Sequence, residues 1–116
     1  MSIKILKNQV SINEVRNLAD EWYGTMIKGC VDVYRKKVAL GGDYHIESCE
    51  LLVADGSVHQ NVWGFNIRFD MSEKLALEFD SLINIKPSLG NKSREVEDIE
   101  LINNATEIIY EWILFK

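Results

Sequence analysis

The chain has 116 residues, of which 47% are hydrophobic and 27% charged, with a formal net charge of −5 at pH 7. That length suits one domain, because two would each be too small to bury an adequate core, and the composition is that of a folded rather than a disordered protein. The acidic balance argues against a duplex nucleic-acid binder, no apolar run approaches the roughly 18 residues of a membrane span, and the opening Met1-Ser2-Ile3-Lys4-Ile5-Leu6-Lys7 lacks the pattern of a secretory leader.

A cytoplasmic protein is therefore expected, with Cys30 and Cys49 as free thiols rather than a disulfide. Alternation of Ile3 and Ile5 against Lys4 predicts a short strand over 3–7 and leaves its place in a sheet open. Ser11, followed three residues later by Glu14, forms a capping box, in which each side chain satisfies a free backbone N–H at a helix start. Ile12, Val15, Leu18, Ala19, Trp22 and Met26 recur at helical spacing, which predicts a helix over 12–25 that Gly24 or Gly29 can end.

Strand periodicity then dominates. Val31–Leu40, Tyr44–Ala54, Ser57–Phe69 and Leu75–Ile85 read as four strands, separated by Gly41-Gly42-Asp43, by the two-residue hairpin signal Asp55-Gly56, and by the polar loop 70–74. Pro87 ends the sheet, since it cannot donate to a ladder. From Asp98 onward, Leu101, Ile102, Ala105, Ile108, Ile109, Trp112 and Ile113 mark an amphipathic helix. The expected fold is α+β, a four-stranded antiparallel meander plus the short N-terminal strand. The N-terminal and C-terminal helices pack on one face, in the order β-α-β-β-β-β-α, as a single domain over 1–116.

The turns fix registers. A two-residue turn at Asp55-Gly56 sets His45 against Asn66, and a five-residue loop at 70–74 sets Phe69 against Leu75, Ile67 against Leu77 and Phe65 against Phe79. For the turn at 41–43, a three-residue loop with a glycine bulge is preferred, because it puts Tyr34, Val38 and Leu40 on the apolar face rather than Arg35 and Lys37. Two helices cover one side only, so the reverse face is expected to be open to water.

That open face carries the first candidate site: His45, Asn66, Arg68, Glu78, Asp43 and Glu47, with one row reading His45–Asn66–Glu78. A carboxylate beside a histidine can orient it or raise its pKa, so His45 with Glu78 or Asp43 is a candidate acid–base pair, and Gly64 would leave room for a ligand against the sheet. The competing explanation is a solvated face with cross-strand ion pairs. A second candidate is an anion loop of Asn84, Lys86, Asn91, Lys92, Ser93 and Arg94 ahead of a helix start. It lacks a Walker sequence and runs into the acidic Glu95, Glu97, Asp98 and Glu100. The extended register puts Asn84 roughly 20 Å from Asn66, so the two sites are expected to be separate.

Cys30, Cys49, His45, His59, Asp43 and Glu47 are metal-ligating residue types at spacings that match no metal motif, so no metal and no cofactor are expected. Trp22, Trp63 and Trp112 sit on apolar faces and read as core, and the cysteines as buried inert thiols.

Several segments together resemble a known family: Gly29-Cys30-Val31-Asp32-Val33, Gly41-Gly42-Asp43-Tyr44-His45, Asp55-Gly56-Ser57, Trp63-Gly64-Phe65-Asn66-Ile67, Ser81-Leu82-Ile83-Asn84-Ile85-Lys86-Pro87 and Gly90-Asn91-Lys92-Ser93. They are similar to an uncharacterised family of small prokaryotic proteins, the domain of unknown function 5674 family, from about residue 12 onward. Glu is common in that family where Asp43 stands, and Arg where Lys86 stands; both differences keep the charge. Cys49 and the tail after Trp112 do not match it. The resemblance implies one domain and supplies no activity.

The leading expectation is an interaction module, homodimeric or bound to another protein, with Leu51, Val53 and Val62 giving apolar contact near one end of the open face. The alternative is a small-molecule-binding protein or small enzyme centred on His45 and Asn66. Nucleic-acid binding through Lys86, Lys92 and Arg94 would be weak and salt-sensitive.

Overall fold

The computed structural model describes residues 2–72 and 76–115. The first helix begins as the sequence predicts: Glu14 N–H reaches the Ser11 hydroxyl at 3.2 Å and the Glu14 carboxylate accepts from Ser11 N–H at 3.3 Å. This α1 (Ile12–Ala19) is shorter than predicted and passes into a turn that closes at Gly24, whose φ is +75°.

Five strands make one antiparallel sheet: β1 (Lys4–Ile5), β3 (Met26–Asp32), β4 (Lys37–Leu40), β5 (Val62–Arg68) and β6 (Leu77–Glu78), in the spatial order β1-β4-β3-β5-β6. The segment 3–7 thus finds its place at the edge beside β4. Two short strands, β2 (Val10–Ser11) and β7 (Ile113–Leu114), pair parallel at the ends of α1 and α3 (Ile99–Trp112), tying the N-terminal helix to the C-terminal one. The α+β class, the antiparallel sheet and the placement of α1 and α3 on one face agree with the sequence. On that face Ile27, Val31, Val38, Leu40, Trp63, Phe65 and Ile67 pack with Val15, Leu18, Ala105, Ile108 and Ile109. Trp63 is buried among them, and Trp22 and Trp112 are partly buried against the same cluster.

The chain departs from the predicted meander in three places. Tyr44–Ala54, expected as a strand, is helical: α2 runs over His45–Ala54. Glu47 nucleates it by accepting the N–H groups of Asp43 and Tyr44 at 2.9 and 3.0 Å. Asp55-Gly56 is its C-terminus rather than a hairpin turn. Gly56 has φ +114°, its N–H bonds Val53 carbonyl, and Ser57 N–H bonds Leu52 carbonyl, the two bonds of a Schellman end.

Val31–Leu40 is not one strand but the close of β3, a turn and β4, in register Asp32↔Lys37 to Gly29↔Leu40. The buried Asp32 carboxylate makes that turn by accepting the N–H groups of Tyr34 and Arg35, both at 2.9 Å, and Lys36 takes φ +57°. The glycine-bulge loop expected at 41–43 is accordingly absent; Gly41 and Gly42, at φ +113° and +108°, lead instead into α2. Finally, β6 stops at Glu78. Ser81 accepts Ile83 N–H and starts a 3₁₀ turn, Leu82–Asn84, and Pro87 opens another, Pro87–Leu89.

The register between β5 and β6 is as predicted, with Ile67 opposite Leu77 and Asn66 opposite Glu78. Phe65 and Phe79 rings meet at 6.3 Å between centroids. The expected partner of Phe69, Leu75, lies outside the described residues.

Because α2 is a helix, it covers the face expected to be open. Cys49 and Leu52 pack onto Cys30, Ala39 and Val62, all essentially buried. Val62, expected to give apolar contact to a partner, is thus inside the fold, and Val53 packs against the same cluster.

Candidate functional site

Alternation along the strands puts Lys28, Cys30 and Asp32 of β3, Gly64, Asn66 and Arg68 of β5, and Glu78 of β6 on the α2 face. The cluster at Cys30, Ala39 and Val62 lies under α2. The opposite end, with Lys28, Asn66, Arg68 and Glu78, extends past the N-terminus of the helix and remains polar. His45, the first residue of α2, folds down onto this boundary.

His45 meets Asn66, as the sequence predicts, though from a helix and not from a paired strand. Its Nε2 is 2.8 Å from Asn66 Oδ1 and 3.0 Å from Phe65 carbonyl oxygen. Asn66 Nδ2 in turn donates to Glu78 Oε1 at 3.1 Å and to Asp80 carbonyl oxygen at 3.3 Å. The His45–Asn66–Glu78 row therefore exists as a hydrogen-bonded chain. It is not an acid–base pair of histidine and carboxylate, since Asn66 stands between them. Burial first, and the Lys28 ammonium second, push the His45 pKa down to about 4.

The other predicted members serve the fold. Glu47 caps α2, and Asp43 accepts the Tyr23 hydroxyl at its carbonyl, 2.6 Å. Arg68 pairs in two-pronged fashion with Asp70 at 3.0 and 3.2 Å and approaches Glu78 at 4.0 Å. Gly64 does not leave space for a ligand. A Cβ there would lie 2.6 Å from Ser81 Cβ and 3.1 Å from His45 Cδ2, so the missing side chain makes room for those two residues. Gly64→Ala is expected to lose about 1–3 kcal/mol to overpacking, read as a lower urea midpoint.

The predicted anion loop is a scaffold. Asn84 is fully buried and bonds Gly64 on both sides, accepting its N–H at 2.7 Å and donating to its carbonyl at 3.0 Å. Asn91 donates to the carbonyls of Asn84, Ser93 and Glu95 and accepts Glu97 N–H. Ser93 hydroxyl donates to Glu95 carbonyl, and Lys92 N–H donates to Glu97. Lys86 donates to His59 carbonyl at 3.0 Å and lies 5.1 Å over the Trp63 ring. Of the three cations considered for nucleic acid, Lys86 is thus engaged within the fold.

Arg94 behaves differently from its neighbours. It reaches Asp80 at 3.0 Å and lines the same pocket as His45. The expected 20 Å separation fails because residues 79–85 turn back over β5 instead of running on as a strand.

This pocket has a volume of about 360 Å³ and is walled by Tyr23, Lys28, Asp43, Tyr44, His45, Ile46, Ser81, Leu82, Ile83 and Arg94. That size falls in the range of small-molecule sites. Lys28 sits 5.5 Å over the Tyr23 ring, and among the described residues it has no carboxylate within 4 Å. Its pKa is lowered, by burial first and by Arg94 second. As the first residues of α2, His45 and Ile46 also have backbone N–H groups without intrahelical acceptors. Tyr44, Ile46 and Leu82 are exposed apolar side chains at the rim. Sequence reasoning missed Lys28 because it placed the first residue of the strand at Val31. The alternation Ile27, Lys28, Gly29, Cys30 was the available signal.

A second concavity of about 360 Å³ lies between Phe79, Ile102 and Tyr110 and holds only carboxylates as charged groups: Glu78, Asp80 and Glu95. Among the described residues no three His, Cys, Asp or Glu side chains come together as a metal would require. Both thiols are buried: Cys30 donates to His45 carbonyl at 3.2 Å, and Cys49 lies 3.5 Å from His59 Nδ1. Burial raises the pKa of each, which suits inert thiols.

Fold and site define an α+β protein with one antiparallel sheet between a helix pair and a single helix, and a polar pocket where the single helix begins. No helix among the described residues is long and apolar enough to cross a membrane. Residues 4–112 match the model of the family described as a protein of unknown function, DUF5674, and the chain belongs to that family. No curated protein and no solved structure matches it.

Proposed function

We propose that this protein binds a small anionic molecule in the pocket at the start of α2. The observation that carries this is the convergence of Lys28 and Arg94, from a strand and a distant loop, on one concavity beside the free N–H groups of His45 and Ile46. Two neighbouring cations repel, and the lowered Lys28 pKa records part of that repulsion; an anion between them relieves it. The Arg94–Asp80 pair is exposed, so it holds Arg94 only weakly and leaves it free to turn toward a ligand. The exposed Tyr44, Ile46 and Leu82 give the ligand an apolar surface to lie against.

Titration of isotope-labelled protein with carboxylates and phosphate esters, followed by amide resonances, tests this. Shifts are expected at Lys28, His45, Ile46, Leu82 and Arg94. Lys28→Ala should weaken binding at least about tenfold, the loss of one charge-assisted contact. If no compound moves these amides at millimolar concentration, the pocket is not an anion site.

A further inference from the structure

The hydrogen bonds beneath the pocket dictate what its histidine can do. The Glu78 carboxylate and the Asp80 carbonyl only accept, and both take hydrogens from Asn66 Nδ2. Asn66 therefore turns its Oδ1 to His45, where Phe65 presents a carbonyl oxygen as well. Facing two acceptors, His45 Nε2 must carry the ring hydrogen, and in a neutral imidazole that leaves the lone pair on Nδ1. Burial holds the ring neutral. Although His45 is only 6% exposed, Nδ1 has no partner among the described residues and is not among the side-chain atoms sealed from solvent. His45 lines the pocket, and Nδ1 is the ring nitrogen free to face its contents.

Given the anion pocket proposed above, on which this rests, we infer that its ligand places a neutral hydrogen-bond donor on His45 Nδ1 next to the acid group held by Lys28 and Arg94, the pattern of a 2-hydroxy carboxylate with an apolar tail. A hydroxyl is favoured over an ammonium because the two cations of the wall, Lys28 and Arg94, outnumber its one carboxylate, Asp43. The apolar tail follows from Tyr44, Ile46, Leu82 and Ile83 at the wall and rim. His45 is here a recognition residue, a fixed acceptor that the Glu78–Asn66 chain holds in one tautomer.

The test compares 2-hydroxy-3-phenylpropionate with its deoxy analogue 3-phenylpropionate and with the 2-methoxy acid, which keeps the oxygen and loses the donor. Binding is measured by calorimetry and by the imidazole nitrogen resonances of protein labelled at its two histidines, with His59→Gln assigning the signals. The free protein is expected to show His45 as the Nε2–H tautomer. The hydroxy acid should bind about fivefold to tenfold more tightly than either analogue, the yield of one hydrogen bond to an otherwise unpaired acceptor, and should alone move the Nδ1 resonance. Equal affinities with an unmoved Nδ1 signal, or an Nδ1–H tautomer in the free protein, overturn the donor inference while leaving the anion pocket in place. Binding of none of the three removes both.

Discussion

Asn84→Ala is expected to destabilise the protein by about 3–5 kcal/mol, a large share of the roughly 5–15 kcal/mol that holds a small domain folded. Asn84 is fully buried at the point where residues 79–85 fold back across β5. Its amide acts as one residue of a strand, taking Gly64 N–H at 2.7 Å and returning a bond to Gly64 carbonyl at 3.0 Å, with a third to Arg94 carbonyl at 3.2 Å. Alanine leaves both Gly64 backbone groups unpaired away from water, each worth about 1–3 kcal/mol, and opens a void as well, while Arg94 carbonyl keeps its bond from Ser81 N–H. Ser93→Ala is the control. Ser93 is exposed and its hydroxyl makes a single bond, to Glu95 carbonyl, so its loss should stay within about 0.5 kcal/mol. Urea unfolding of the two variants gives the comparison, and a loss below about 1 kcal/mol for Asn84→Ala would show that the loop is held by other contacts. Arg94 is carried on this same loop, so the variant should also lose ligand affinity before it loses its secondary structure.

What the sequence could reveal depended on which residues carried the pattern. Ser11 and Glu14 announced α1 because both partners of the capping box are polar side chains of fixed reach. The β5–β6 register followed from large apolar residues at alternate positions, and Ile67 does face Leu77. The helix α2 stayed hidden for a physical reason. Its buried positions, His45, Ser48, Cys49 and Leu52, repeat at i, i+3, i+4 and i+7, but three of the four are small or polar. Ile46, by contrast, is exposed and Val53 only half-buried. A hydrophobicity pattern therefore sees the wrong residues. Asp55-Gly56 compounded the error, since a glycine at positive φ serves a hairpin turn and a helix end equally well. The turn after Asp32 has no glycine or proline at all; a buried carboxylate closes it.

The site was legible in part for a related reason. His45 and Asn66 were brought together by a strand register that does not exist, yet the reverse face of β5 was identified correctly, and a polar residue placed there needs a polar partner. Lys28 and Arg94 come from segments that only the tertiary fold unites. The anion loop misled because hydroxyls, amides and glycine suit a phosphate cradle and an internal scaffold alike. Here Asn84 and Asn91 spend their hydrogen bonds on backbone, which leaves none for a ligand.

Acidification should destabilise the protein through His45, by up to roughly 3 kcal/mol between about pH 6.5 and pH 4. The sign follows from the direction of the shift. Burial and Lys28 hold the folded pKa at about 4, below the 6.5 of an exposed histidine. Above both values the ring is neutral in either state and adds no pH dependence. Between them the unfolded chain takes up a proton that the folded protein refuses, so stability falls as pH falls, and the loss is complete once the folded ring protonates too. In the folded state that proton would enter at Nδ1, against the repulsion of Lys28, since Nε2 already carries one. Chemical unfolding of wild type and His45→Gln at pH 7.5, 5.5 and 4.5 isolates the effect from the carboxylates, which titrate in both proteins. The wild-type curve should fall more steeply, with the excess largest at the lowest pH. Parallel curves would mean that water reaches the ring and that it protonates as freely in the folded protein as in the unfolded chain. An anion that puts no donor on Nδ1 should raise the folded His45 pKa by screening Lys28, so at saturation the fall is expected to end at a higher pH and to be smaller, with its onset unchanged.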